Sequence, residues 1–190
     1  TSSHYATSNR RRVNQALTYL GYPVYFGLSA TYWWHKHVVV HHSAPNVIGV
    51  EGDADLSPWF ATTTEEVKKS SGLRRLYYRH AQQFVFPVAI SLTLLSQQIA
   101  GCVYVARSLR GKRREAAHLI DAAALLLHVA LTLAMPMWFL PPSSVIGFYV
   151  VRNVLVSYAM FMVFAPAHLL SEAARIGKDA APVDYVLAVT

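Results

Sequence analysis

The sequence predicts an all-α integral membrane protein: a transmembrane helical hairpin with re-entrant or interfacial helices beside it, under a cytoplasmic cap rich in histidine. Three observations carry this. The chain is 54% hydrophobic and 14% charged, against about 25% charged in an ordinary soluble domain. Apolar runs at residues 84–106, 116–140 and 145–167 each approach the ~20 residues that cross a bilayer. The basic residues gather beside apolar stretches, at Arg10-Arg11-Arg12, Lys68-Lys69, Arg74-Arg75 and Arg110 to Arg114, as the cytoplasmic anchors of a membrane protein do.

The excess of 17 Lys and Arg over 10 Asp and Glu is therefore read as membrane anchoring, and no nucleic-acid partner is expected. Length points to one domain. The single cysteine, Cys102, excludes an internal disulfide and a cysteine-based zinc or iron–sulfur site within this chain. The nine histidines are a large share of the polar residues. With no cleavable signal and no initial Met, the sequence reads as a piece of a longer one.

Residues 1–83 are expected to form a cytoplasmic or interfacial region. Within it, residues 13–34 are apolar but broken by Asn14, Gln15, Gly21, Pro23 and Gly27, and end on Trp33-Trp34. That pair suits a membrane–water interface, where an amphipathic ring keeps one wet edge. From His35 to about His80 the chain is polar and punctuated by Pro45, Gly49, Gly52, Pro58 and Gly72, a loop region with room for short helices. The run 84–106 is interrupted by Pro87, Ser91, Thr93, Ser96, Gln97, Gln98 and Gly101. The run 116–140 is richer in Leu and Ala and stops at Pro141-Pro142. The run 145–167 holds Arg152 and Asn153 near its start, to snorkel or to face the bundle interior.

Charge orders these runs. The loop with Arg107, Arg110, Lys112, Arg113 and Arg114 is the most basic short loop and is expected in the cytoplasm, while Pro141 to Ser144 carries no charge and belongs on the far side. Residues 116–140 and 145–167 then form a hairpin, and 168–190 return to the cytoplasm. If the histidine region is cytoplasmic too, residues 84–106 start and finish on one side, as a re-entrant or interfacial helix. The alternative is a third span with the basic loop facing outward.

The chemistry-bearing motif is Trp33-Trp-His-Lys-His37-Val-Val-Val-His41-His42. On an α-helix His37 and His41 share a face, and His42 lies about 100° further round, so one helix can serve two nearby metal ions. Imidazole suits iron, zinc and copper. Surface histidines in a basic loop are the plain alternative, which three in six residues behind a Trp pair argue against. The run continues through Asn46, Gly49, Asp53 and Asp55.

This pattern resembles the second histidine box of the membrane fatty-acid desaturases: a tryptophan, a histidine four later, a histidine pair, then Asn, Gly and spaced acids. The start, Thr1-Ser-Ser-His4, is similar to the end of that family's first box, and His168 in Phe164-Ala-Pro-Ala-His168 matches a histidine that follows the last membrane pair. The resemblance covers nearly the whole chain. It implies two iron ions held almost wholly by histidine, here His4, His37, His41, His42 and His168, with dioxygen as co-substrate. It implies catalytic roles for His37, His41 and His42, and oxygen-dependent desaturation of a lipid acyl chain. The substrate is then an acyl lipid or acyl thioester, and electrons come from a donor such as ferredoxin or cytochrome b5. Two departures stand out. The first box lacks its first histidine and the third box is absent, so the site is expected to be partial. Phe164 also stands where some relatives carry Asn.

Asn46, Asp53 and Asp55 are candidates to orient imidazole N–H groups; Asp53 and Asp55 are equally turn residues after Gly52. His35 faces solvent or stands behind the ligands, and His80 is interfacial. Glu115-Ala-Ala-His118 has the Glu-x-x-His spacing of soluble di-iron bundles, but in single copy. Glu115 more simply serves the helix start and its basic neighbours. His128, beyond Asp121 in an apolar run, is a functional suspect or a neutral histidine bonded to a neighbouring helix. A related hydroxylase or ketolase, or a metal- or haem-binding membrane protein using His128 and the loop histidines, is the rival reading.

Overall fold

The two most apolar runs become the two longest apolar helices. The structure, a computed structural model, describes residues 7–43, 47–48, 56–111, 114–169 and 176–177, with the backbone alone for 47–48, 166–169 and 176–177. Helix α7 (Ala116–Val129) runs on through a π turn, Ala130–Ala134, and a 3-10 turn, Pro136–Trp138. Helix α8 spans Pro142–Leu169. Within them, Ala116–Trp138 and Pro142–Ala165, of 23 and 24 residues, are long and apolar enough to cross a membrane. At ~1.5 Å per residue each reaches about 35 Å, beyond the ~30 Å hydrocarbon core. Pro142 opens α8 three residues ahead of the expected Val145, because the first helical position needs no N–H donor.

The third run is not straight. Helices α5 (Gln82–Ser91) and α6 (Thr93–Arg110) meet at Leu92 with a bend of 54°. Pro87 lies inside α5, where it removes a ladder bond and crowds the preceding turn. Ser91 and Ser96 turn their hydroxyls onto Val88 and Thr93 carbonyls.

The chain divides into two compact units. The first takes the chain up to Val39 together with Thr93–Val156. It holds α1 (Arg11–Tyr19), extended by π turns over Leu20–Phe26, and α2 (Ala30–Trp33), packed with α6, α7 and the first part of α8. Its interior is polar to an unusual degree: Asn14, Ser29, Gln98, Asp121, His128 and Asn153 are buried beside Leu28, Trp33, Leu94 and Val105. Leu126, Phe148, Val151 and Leu155 point outward. Lipid covers an apolar exterior without cost, whereas polar groups at membrane depth must find partners inside.

The second unit takes Val40–Leu92 and the chain from Ser157. Helices α3 (Thr64–Lys69) and α4 (Gly72–His80) lead into α5. The polar stretch after the histidine run thus carries the short helices expected of it. Phe86 on α5 meets Phe60 and Phe161 edge-on, and Tyr158 on α8 donates to the Pro87 carbonyl at 3.0 Å. That carbonyl lies in the part of α5 where the proline disturbs the ladder. Strands β1 (Val47–Ile48) and β2 (Ile176–Gly177) pair in parallel, Val47 with Ile176 and Ile48 with Gly177.

Candidate functional site

The histidine run sits on a helix whose start is held from a membrane span. The chain leaves the π turns through Gly27, left-handed at φ 68°, where a side chain would be strained. It then begins α2 at Ser29, whose hydroxyl accepts the Tyr32 N–H at 3.0 Å as an N-cap. A second acceptor arrives from α7. The Asp121 carboxylate, 0% exposed, receives the Ser29 hydroxyl at 2.6 Å, the Ala30 N–H at 3.0 Å, and the Thr31 N–H and hydroxyl at 2.9 and 2.6 Å. Four donors on two oxygens match an acceptor-only carboxylate, and its charge lies at the positive end of a helix. Gly101 on α6 allows this close seating, since a Cβ there would stand 2.8 Å from the Ser29 Cβ.

From this start the helix passes into π turns over Trp34–His41. That winding alters the α-helical register expected for the run. With i→i+5 bonds each turn takes more residues, so each residue within Trp34–His41 advances by less than the ~100° of an α-helix. Insertions of this kind occur often at functional sites. The two tryptophans also part company. Trp34 is 47% exposed, as an interfacial residue should be, whereas Trp33 is buried. Its ring stacks with Tyr22 at 5.9 Å and with His37 at 5.0 Å and 15°, so Trp33 packs directly against a candidate ligand. His35, exposed, stacks with Tyr104 of α6 at 5.7 Å.

In the second unit the rings of His41 and His42 lie 5.3 Å apart at 68°, His41 half-buried and His42 exposed. The β1–β2 pairing returns the chain beyond His168 to the chain beyond His42. His168 belongs to α8, where only the backbone is described, and His4, Asn46, Asp53 and Asp55 lie outside the described residues. Among the described residues no three His, Cys, Asp or Glu side chains converge on a metal position. The donor set itself, imidazoles without thiolates, suits a redox-active first-row metal such as iron.

The remaining suspects have structural partners. The His118 ring accepts the Glu115 N–H at 3.3 Å, so this pair closes the start of α7. His128, 2% exposed, places Nδ1 2.9 Å from the Val24 carbonyl and Nε2 3.0 Å from the Tyr149 hydroxyl. Both nitrogens are committed, which leaves no lone pair for a haem or metal in this arrangement. Gln98 donates to the Phe26 carbonyl at 2.7 Å and accepts from Asn153 at 3.2 Å. Arg152 donates to the Tyr25 carbonyl and lies over the Tyr25 ring. Sequence reasoning flagged Asp121 as an ionisable group in an apolar run but not its partners; Gly27 and Gly101 carried no signal beyond being glycines.

Comparison with known proteins decides the family. The fatty acid desaturase family model matches residues 2–185. The chain belongs to the fatty acid desaturase family. It is 29% identical to a Delta(8)-fatty-acid desaturase of Euglena gracilis over 129 residues, 65% of this chain and 30% of that protein. It is 35% identical to the Delta(5) fatty acid desaturase fat-4 of Caenorhabditis elegans over 69 residues, 36% of this chain and 15% of that protein. To an acyl-lipid omega-13 desaturase of Chlamydomonas reinhardtii it is 30% identical over 96 residues, 49% of this chain and 20% of that protein. The chain thus spans less than a third of each of these relatives. No solved structure matches it.

Proposed function

We propose that this chain is part of a membrane enzyme that desaturates a lipid acyl chain with dioxygen at a histidine-ligated di-iron centre. The observation that carries the reading is that the family match runs without interruption from before the histidine helix to beyond both spans. The relatives' names, all desaturases of fatty acids or acyl lipids, support an acyl lipid or acyl thioester as substrate.

His37, His41 and His42, with His4 and His168, would hold the irons, and Asn46, Asp53 and Asp55 would orient them. Iron, when bound, supplies the dioxygen-derived oxidant that an unactivated methylene C–H requires and no side chain provides. The chain's own residues do the rest. Trp33 fixes one ring face of His37, the neighbouring His41 and His42 offer two imidazoles side by side, and the apolar helices give the acyl chain a dry path. The hairpin 116–140 and 145–167 anchors the enzyme, and the bend at Leu92 supports a re-entrant or interfacial course for 84–106. The basic residues from Arg107 to Arg114 favour a cytoplasmic side for the histidines, where they would also suit an acidic electron donor such as ferredoxin or cytochrome b5.

The test uses the full-length protein that contains this chain. Metal analysis should give close to two irons per chain, and zinc alone would overturn the redox reading. His41→Ala should abolish unsaturated product in a fatty-acid methyl ester assay while membrane insertion stays intact. Undiminished product from that variant would remove His41 from the site.

A further inference from the structure

We infer that Asp121 is a positioning residue of the metal site: it tethers the histidine helix to a membrane span and sets the height and rotation at which His37 stands. The inference rests on the reading of His37 as an iron ligand.

The start of the histidine helix is held by more acceptors than a cap requires. An N-terminal helix end needs acceptors for its first N–H groups, and Ser29 already supplies a local cap through its bond from Tyr32. A buried carboxylate arriving from 92 residues away adds something a local cap does not, a fixed point of attachment. The bonds are arranged to fix rotation as well as position. Oδ2 takes the Ser29 hydroxyl and both the hydroxyl and N–H of Thr31, while Oδ1 takes the Ala30 N–H. Donors from three consecutive residues, on side chain and backbone, define one bearing of the helix about its axis. Gly101 closes the seat from α6, at a separation that leaves no room for a methyl group.

The lever arm explains why this matters. His37 lies about 10 Å along the helix from Ala30 at ~1.5 Å per residue, so a 10° swing about the start displaces its ring by about 2 Å. A functional site tolerates errors of about 0.5 Å. The Asp121 oxygens accept from Ser29, Ala30 and Thr31, so its action on the metal site runs through the helix.

The experiment separates a tether from a cap. In the full-length protein, Asp121→Ala removes the carboxylate, and Ser29→Asp added to it supplies a strong local cap without the tether. Expected for the double variant is recovery of thermal stability towards wild type, with iron release to a ferrous chelator still at least tenfold faster than wild type. Recovery of wild-type iron retention by Ser29→Asp, or unchanged retention in Asp121→Ala alone, overturns the inference. A metal-free readout decides the tether independently. Spin labels at the exposed positions Trp34 and Leu119 should give a narrow distance distribution in wild-type background. That distribution should broaden in Asp121→Ala and remain broad with Ser29→Asp; an unchanged width overturns the tether. An iron-free wild type would sink the di-iron reading while the label distances still judge the attachment.

Discussion

Asp121 and His128 stand about two turns apart on α7, both buried within a stretch long and apolar enough to cross a membrane, and they hold different parts of the chain. Asp121 reaches the start of the histidine helix. His128 reaches the carbonyl of Val24, in the π turns that precede that helix, and ties it to Tyr149 on α8. An ionisable group inside a span is by default a functional suspect. The two corners show that the suspicion resolves only when the partners are known. One group holds the start of the histidine helix, and the other satisfies the carbonyl of Val24, among the last carbonyls of the turns Leu20–Phe26, which lack an intrahelical partner.

The two corners have separate roles only if they respond differently to substitution. His128→Ala strands the Val24 carbonyl and the Tyr149 hydroxyl and opens a void beside Gly27, whose absent Cβ would lie 2.6 Å from Nε2. The expected loss is about 2–4 kcal/mol of stability, measured by denaturant unfolding in mixed micelles. Iron per folded chain should remain at the wild-type value, because no bond from His128 reaches the histidine helix. Iron loss as severe as that of Asp121→Ala would make both corners positioning elements and erase the distinction.

How much of this was legible beforehand follows from the range of each interaction. The two long apolar helices and the interrupted run before them are written in local composition, which a short stretch of sequence displays by itself. The family was legible because His37, His41, His42 and Asn46 form a short pattern. The partners of Asp121 lie 90 to 92 residues away, and no periodicity encodes such a pairing. The divergence of Trp33 from Trp34 depends on the winding of the helix and on Tyr22, again a tertiary matter. The π turns over Trp34–His41 have no local signature either, since the β-branched run Val38 to Val40 by itself leans towards strand.

A smaller intrusion sharpens the Asp121 corner. Gly101→Ala places a Cβ 2.8 Å from the Ser29 Cβ, closer than packed carbons approach, so Ser29 must shift. Overpacking of this kind costs about 1–3 kcal/mol. Iron release should quicken by more than the stability loss predicts, because the displaced atom is the helix start itself. Equal stability loss without faster release would show that the seat tolerates movement and that the four bonds to Asp121 carry the positioning alone.

The finest cut is at Tyr149. Its hydroxyl meets His128 Nε2 at 3.0 Å, and its ring also lies 5.9 Å from the Arg152 guanidinium. Tyr149→Phe keeps the ring, and with it the contact to Arg152, but removes the hydroxyl. One partly buried hydrogen bond lost should cost about 1 kcal/mol, with the histidine helix undisturbed. Combined with His128→Ala in a double-mutant cycle, the coupling energy should be of the same size, about 1 kcal/mol, because the two groups share that bond. A coupling near zero would mean that the His128 corner is held by the Val24 carbonyl alone, and that α8 joins it through Gln98 and Asn153 rather than through Tyr149.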